Sequence, residues 1–292
     1  MKNNLLYVVT VIIWGSTWIG ITFQLGVVDP MVSVVYRFAL SAALLLLFCR
    51  ISGRNLRFSV KEHTFMALLG LLLFSVNYWL VYVAEVYLTS GLVAVLFSSI
   101  VFMNIANGAL FLGTPVEKKM VAGAVVGIFG IALIFMHEIE SFDLTDKSLL
   151  GLVLGFSSVL LASFGNITSA RNSQHNIPIL QANAFGMGYG ALALAILALG
   201  LGREFSFSAT LPYITSLIYL AVFGSIIAFT SYLTLIKSIG ADKASYSIMV
   251  VPVVALIISS FFEGYVWSFS AVAGLILVVG GNFLALYRRS SV

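Results

Sequence analysis

The sequence is dominated by uncharged apolar stretches, each long enough for a helix to cross a lipid bilayer, with short polar breaks between them. A hydrocarbon core about 30 Å thick requires roughly 20 apolar residues in a helix. Strands of a membrane barrel would be about 10 residues long with alternating polarity, and that alternation is absent. The sequence therefore predicts ten membrane-spanning helices: Leu5–Gln24, Val32–Cys49, Phe65–Ala84, Ser90–Leu112, Met120–Met136, Leu150–Ser169, Pro178–Leu199, Tyr213–Thr234, Ala244–Phe262 and Phe269–Tyr287.

The composition excludes a soluble protein of this size. Hydrophobic residues make up 61% of the chain and charged residues only 9%, whereas soluble domains carry about 25% charged residues. The single cysteine, Cys49, permits no internal disulfide. The prediction is an all-α integral membrane protein, located in the cell membrane and, in a prokaryote, in the inner membrane.

Charged residues sort to opposite sides of the predicted membrane. The basic side chains lie in the even-numbered connections or at the termini, apart from Lys147, Arg203 and Arg37. Most acidic side chains lie in the odd-numbered connections. Because cytoplasmic loops carry the excess of Lys and Arg, both termini are predicted to be cytoplasmic. The net charge of +4 then reflects topology, and nucleic acid is not expected as a partner.

The two halves of the chain resemble each other weakly. Asp29-Pro30, before the second span, corresponds to Ile177-Pro178 before the seventh, and the glycine pattern of the fifth span, which contains Gly123, recurs in the tenth around Gly274. A chance alignment of apolar helices is the alternative. Because each half has five spans, the second half would be inverted relative to the first, which is a recurrent transporter plan. The predicted repeats are residues 1–140 and 141–292.

Four short motifs occur in order along nearly the full chain: Trp14-Gly15-Ser16, Pro30 followed by Tyr36-Arg37-Phe38, Phe111-Leu112-Gly113, and Ile239-Gly240-Ala241 through Ala244-Ser245 to Pro252. Together they resemble the EamA-type members of the drug/metabolite transporter superfamily. The resemblance implies ten helices in a 5+5 inverted repeat. It also implies that many relatives export amino acids, related metabolites or drugs, while others import.

Arg37 is the one charged residue within the ten predicted spans, and an ionisable residue inside a membrane is by default a candidate functional residue. Its guanidinium could bind a substrate carboxylate or phosphate with two parallel hydrogen bonds. Alternatively, it could extend to the outer headgroups, about 9 Å away, or tie helix ends together. The resemblance implies an arginine here regardless of substrate, which favours the structural role.

Aromatic and amide side chains recur at helical spacing within several spans. Such stripes usually pack against other helices or form interfacial belts, but Trp14, Tyr78, Phe97 and Phe229 fall in mid-span. An aromatic, uncharged cavity suits small amphipathic molecules. The candidate substrate-binding residues are Trp14, Arg37, Asn77, Tyr78, Tyr82, Phe97, Asn104, Phe229, Tyr232 and Tyr246.

Few acidic residues are available for proton coupling. Glu85 follows the third predicted span, and a coupling acid should be buried. We expect Glu85 to be a solvated residue at the helix end. The scarcity of buried acids favours a facilitator, or coupling through very few groups.

Transport is therefore the predicted function, with export of amino acids or related small amphiphiles by alternating access. An importer or facilitator of another metabolite, or a drug-efflux protein, is the alternative. A membrane enzyme would need clustered Asp or His at the membrane face, and no D-x-x-x-D pair occurs. No enzymatic activity, cofactor or metal is expected. The expected partners are the lipid bilayer and a small-molecule substrate, with a monomer favoured over a dimer.

Overall fold

The computed structural model describes residues 2–24, 26, 28–88, 93, 96–140, 143–262 and 267–286, and all regular structure in this part is helical. The helices are α1 (Lys2–Thr22), α2 (Pro30–Ile51), α3 (Val60–Leu73), α4 (Val76–Tyr87), α5 (Ile100–Leu112), α6 (Lys118–Ile134), α7 (Met136–Glu140), α8 (Asp146–Gln174), α9 (Ile179–Gly200), α10 (Leu211–Tyr219), a π-helix (Leu220–Ile227), α11 (Ala228–Ile239), α12 (Ala241–Ala244), α13 (Tyr246–Phe262) and α14 (Phe269–Leu286).

Seven helical segments of the described part are long and apolar enough to cross a bilayer, and Leu96–Leu112 is a shorter apolar helix. Each of the ten predicted spans coincides with helical backbone over most of its described residues. The start of the fourth predicted span and the last residue of the tenth lie outside the described residues. The crossing of the membrane by all ten spans stays a prediction.

Local sequence signals fix several helix ends. Asp29 caps α2 by accepting a 2.8 Å hydrogen bond from the Met31 amide, and Pro30 supplies the φ angle of a first helical turn. Ser59 and Glu62 form a reciprocal capping box at the start of α3. Gly113 ends α5 with φ +65°, a left-handed conformation that glycine adopts without a steric penalty.

Two of the predicted spans are irregular in the middle. The third, predicted over Phe65–Ala84, is interrupted between α3 and α4, where Ser75 has φ −131° and ψ −99°. The eighth contains the π-helix Leu220–Ile227. Val60–Tyr87 as a whole is long and apolar enough to cross a bilayer, so the predicted span agrees with the structure and the interruption lies within it. Residues 73–76 contain neither the Pro nor the Gly that usually marks a kink, so no local sequence signal predicts the interruption.

The helices pack in a regular set of pairs. α1 packs against α13 and the α10–α11 segment, while α8 packs against α5 and the α3–α4 segment. α2 packs against α9, and α6 packs against α14. The largest hydrophobic core lies among these helices and includes Phe38, Phe74 and Phe229. A second core joins α5, α6, α13 and α14.

Glycines bring the α6 and α14 backbones into direct contact. A Cβ on Gly123 would lie 2.6 Å from the Gly281 carbonyl oxygen, and a Cβ on Gly130 would lie 2.7 Å from the Gly274 carbonyl oxygen. Both separations are below the van der Waals limit, so only glycine fits. Small residues of this kind allow close packing of membrane helices.

Two adjacent glycines of α14 allow a matched test of this contact. Gly281→Ala should destabilise the protein by about 1–3 kcal/mol because the added methyl group overpacks the interface. Gly280 has open space around it, so Gly280→Ala should be neutral or slightly stabilising. Thermal unfolding of both purified variants measures the difference. Equal unfolding temperatures would show that the α6–α14 contact is not as close as described.

Candidate functional site

A cavity of about 100 Å³ lies beside the interruption between α3 and α4. Leu73, which precedes the interruption, and Asn77, which follows it, both contribute to its wall. Seven of the ten candidate residues line this cavity: Trp14, Arg37, Asn77, Tyr78, Phe97, Phe229 and Tyr232. The structure thus brings together residues that are up to about two hundred positions apart in the chain.

Both halves of the chain contribute to the cavity wall. α1, α2, α4 and Ile100 of α5 come from the first half, residues 1–140. Asn166 of α8, Phe229 of α11 and Pro252 of α13 come from the second half, residues 141–292. A movement between the halves would therefore change the shape of the cavity.

Aromatic rings form one side of the cavity. The Trp14 ring centroid lies 5.0 Å from that of Phe229 and 5.0 Å from that of Tyr232. Tyr78 continues the wall, with its centroid 6.0 Å from Phe229. The Trp14 indole N–H donates a 3.1 Å hydrogen bond to the Gly224 carbonyl in the π-helix. The indole is therefore oriented by the irregular segment, and its ring face remains part of the wall.

Arg37 is the charged member of the wall and is 1% exposed. Its Nε donates a 2.9 Å hydrogen bond to Ser225 Oγ, in the π-helix. Its guanidinium carbon lies 4.8 Å from the centroid of the Tyr78 ring, within cation–π distance. This burial contradicts the alternative in which the side chain extends to the outer headgroups. Arg37 links α2 to the π-helix, as in the other alternative, but the link joins the interiors of the two helices and not their ends.

Amide side chains near the cavity are held by hydrogen bonds. Asn77 Nδ2 donates to the Ser158 carbonyl at 2.6 Å and to Ser158 Oγ at 3.0 Å, which ties α4 to α8. Asn166 Nδ2 donates to the Tyr232 hydroxyl at 3.1 Å. These bonds satisfy amide N–H donors that would cost several kcal/mol if left unpaired in a membrane interior, whereas Asn166 Oδ1 is buried without a partner among the described residues.

Three candidate residues are not among those that line the cavity. Tyr82 is fully buried in the main core, one turn beyond Tyr78. Asn104 donates to the Ala241 carbonyl at 3.3 Å, which connects α5 to α12. Tyr246 lies in the second core and donates to the Met120 carbonyl. The contacts of Asn104 and Tyr246 link helices, and the predicted binding role of all three residues stays a prediction.

Sequence reasoning missed several lining residues, including Thr17, Asn166 and Pro252. An amide within a span is expected to contact either another helix or a cavity. Asn166 does both, because it bonds to Tyr232 of α11 and lines the cavity. Pro252 belongs to one of the family motifs. The remaining missed residues are aliphatic, and their sequence signal is the same as that of core residues.

Glu85 differs from its expected environment. It lies within α4, and its Oε1 is buried without a hydrogen-bond partner. The expectation of a solvated residue at the helix end is therefore wrong for this oxygen. Glu85 is one helical turn beyond Val81, which lines the cavity, so it lies on the side of α4 that faces the cavity.

These features describe a multi-pass membrane protein whose packed helices enclose a mid-helix cavity beside irregular backbone, an arrangement typical of secondary transporters. The family model described as the EamA-like transporter family matches residues 1–136 and 149–287. The chain belongs to this family.

Two named relatives are similar to this chain over most of its length. The chain is 22% identical over 287 residues to protein PagO of Salmonella typhimurium, with 98% of this chain and 93% of PagO covered. It is 28% identical to the uncharacterized inner membrane transporter YedA of Escherichia coli K12, over 87% of this chain and 80% of YedA. A solved crystal structure superposes with a TM-score of 0.81 at 16% identity, covering 97% of this chain and 96% of its own, so the fold is shared.

The aromatic wall can be tested by truncation. Tyr78→Ala and Phe229→Ala should each change the transport rate at least several-fold, because each removes a ring from the wall, while membrane insertion is retained. Phe223→Ala is the matched control, since Phe223 is 45% exposed and does not line the cavity. Uptake into proteoliposomes measures the rates. Wild-type transport by both cavity variants would refute the assignment of the wall.

Proposed function

We propose that the protein is a secondary transporter that moves small amphipathic metabolites by alternating access, with ten membrane-spanning helices in two inverted five-helix halves and both termini in the cytoplasm. The observation that carries the proposal is the mid-helix cavity, whose wall is contributed by both halves. Inverted-repeat transporters bind substrate at such a position between the halves. YedA is described as an uncharacterized inner membrane transporter, which supports transport over catalysis.

The packing pairs support the inverted repeat. If α1 corresponds to α8 and α13 to α5, then the contact of α1 with α13 has its counterpart in the contact of α8 with α5. The pairs α2–α9 and α6–α14 would each be their own counterparts. In α6–α14 the glycine contacts are reciprocal, because Gly123 meets Gly281 while their counterparts Gly274 and Gly130 meet each other. This reciprocity is the signature of a two-fold relation.

The irregular segments support the position of the site. Ser75, at the α3–α4 interruption, and Ser225, in the π-helix, fall at corresponding positions of the two halves. Discontinuous helices at corresponding positions commonly form the substrate site of a transporter. π-helical turns are likewise frequent at functional sites.

Ion pairs between the halves are present at both ends. Glu117 Oε1 lies 3.2 Å from Lys243 Nζ at the predicted cytoplasmic end, and Asp29 Oδ2 lies 3.4 Å from Arg203 Nη1 at the opposite end. Hydrogen bonds from Lys119 and Lys243 hold the pKa of Glu117 below its usual range, so this carboxylate is charged at neutral pH. Partly exposed pairs contribute only about 0–1 kcal/mol. Such weak contacts can break and re-form as access alternates.

The size of the cavity favours a small substrate. Drug-sized ligands occupy pockets of about 300–1,000 Å³, whereas this cavity measures about 100 Å³. Amino acids or related metabolites are therefore favoured over drugs. Export is the proposed direction because the resemblance to EamA-type transporters implies many exporters. Import or facilitated diffusion of another metabolite is the alternative.

A panel of radiolabelled amino acids in proteoliposomes tests the proposed substrate class. We expect at least one small amino acid to be taken up above the level of protein-free vesicles, because the cavity offers an aromatic wall and one cationic group. The panel is run with and without a pH gradient. Failure of the entire panel would refute amino acids as the substrates.

A pH gradient should also reveal the role of Glu85. Because a carboxylate oxygen that is buried without a partner is costly in the charged form, and Glu85 Oε1 is such an atom among the described residues, we expect proton uptake at Glu85 to couple to transport. α2, α3 and α8 pack against α4. Their basic residues are Arg37, Arg50, Lys61, His63, Lys147 and Arg171. None of them forms an ion pair with Glu85 among the described residues. Glu85→Gln should remove the stimulation by the gradient, and exposed Glu204→Gln should retain it.

A gradient response that is equal in the wild type and in Glu85→Gln would contradict coupling through Glu85. Uptake that does not respond to the gradient in the wild type would indicate a facilitator instead.

A further inference from the structure

Among the described residues, the positive charge of Arg37 in the cavity wall has no counter-ion. The guanidinium interacts with the Tyr78 and Tyr82 hydroxyls, but its buried Nη1 has no partner of normal hydrogen-bond geometry among the described residues. The ion pairs of the described residues join Asp29 to Arg203 and Glu117 to Lys119 and Lys243, and none includes Arg37. Burying an unpaired charge costs several kcal/mol even after the protein relaxes. A bound ligand of opposite charge would compensate this cost.

The surroundings of Arg37 hold the guanidinium in place without neutralising it. Ser225 Oγ accepts from Nε, which leaves Nη1 available. The rings of Phe38 and Tyr78 lie 5.3 Å and 4.8 Å from the guanidinium carbon. A Cβ on Gly224 would lie only 3.1 Å from Nη2, so the π-helix glycine makes room for the group. The site is therefore preorganised around a free donor.

A second unpaired donor lies nearby. The buried Tyr82 hydroxyl interacts with the Arg37 guanidinium, and its own O–H has no acceptor among the described residues. A carboxylate can accept several hydrogen bonds through its two oxygens. One guanidinium charge is matched by one negative charge, so a monoanion balances the site better than a dianionic phosphate does.

We propose that Arg37 forms an anion subsite in the cavity that binds the carboxylate of a small organic substrate, with the aromatic wall around Trp14, Tyr78 and Phe229 receiving its apolar part. The assignment rests on the proposed transport function for its physiological meaning. It is a statement about binding, however, and it is tested as binding. The carboxylate supplies the acceptor that Nη1 lacks and replaces the missing counter-ion.

The test compares acids with their primary amides on the purified full-length protein. The main probes are propanoate, 4-methylpentanoate and 3-phenylpropanoate, each paired with its uncharged amide. L-Alanine, L-leucine and L-phenylalanine, each paired with its amide, show the effect of the added amino group. Ligand binding to the folded state raises the unfolding temperature in a concentration-dependent manner, which gives apparent affinities. We expect acids to bind at least tenfold more tightly than the amides, since hydrogen bonds to a charged group are strong.

Variants locate this preference. Arg37→Gln should remove the difference between acids and amides. Arg37→Lys should weaken acid binding while keeping some preference, because the charge remains but the planar fork is lost. Arg54→Gln is the control, since it removes the same charge from an exposed residue outside the cavity, and it should keep the wild-type preference.

Several outcomes would overturn the inference. Amides that bind the wild type as tightly as the acids do would overturn it, even if Arg37→Gln failed to fold. An acid preference that survives in Arg37→Gln, or acids that do not bind at all, would do the same. Selective acid binding without any uptake into vesicles would instead leave the anion subsite in place and refute the proposed transport function.

Discussion

A membrane interior offers no water to backbone groups, and this constraint determines the whole architecture. Each N–H and C=O group within the bilayer has to be satisfied inside the chain, so spanning segments are helical. Irregular backbone is tolerated at that depth only where protein or a cavity surrounds it. In this protein the irregular backbone occurs at Ser75 and in the π-helix Leu220–Ile227. The cavity lies beside Ser75 and is lined by Arg37, which is tied to the π-helix.

The same constraint explains how much of the fold could be predicted. Hydropathy and the distribution of basic residues predict spans and orientation, because both respond to the membrane directly. The interruption at Ser75 could not be predicted, because its neighbours are as apolar as the rest of the span and no Pro marks it. The glycines of α6 and α14 indicate that each helix packs closely against a neighbour. The sequence does not indicate that the two helices are each other's neighbour.

The candidate site was predictable in part, for a chemical reason. Trp14, Tyr78, Phe97 and Phe229 are candidate binding residues because they are aromatic and lie in mid-span. All four line the cavity. Tyr246 showed the same pattern but satisfies its hydroxyl on the Met120 carbonyl in another core. An aromatic residue has the same sequence signature whether it packs or lines a cavity, so tertiary structure alone separates the two.

A buried polar atom gives a sharper criterion than residue type. Asn77 and Tyr246 donate hydrogen bonds to neighbouring helices. These contacts explain why the two polar side chains are buried, and no ligand is needed. Arg37 uses Nε on Ser225 but leaves Nη1 without a partner in the cavity wall. Since burial of a charge is tolerable only when it is compensated, the empty cavity is electrostatically less favourable than one that holds an anion. Under the proposed mechanism, enclosure of the loaded site is then easier than enclosure of the empty one, which ties the movement of the two halves to occupancy.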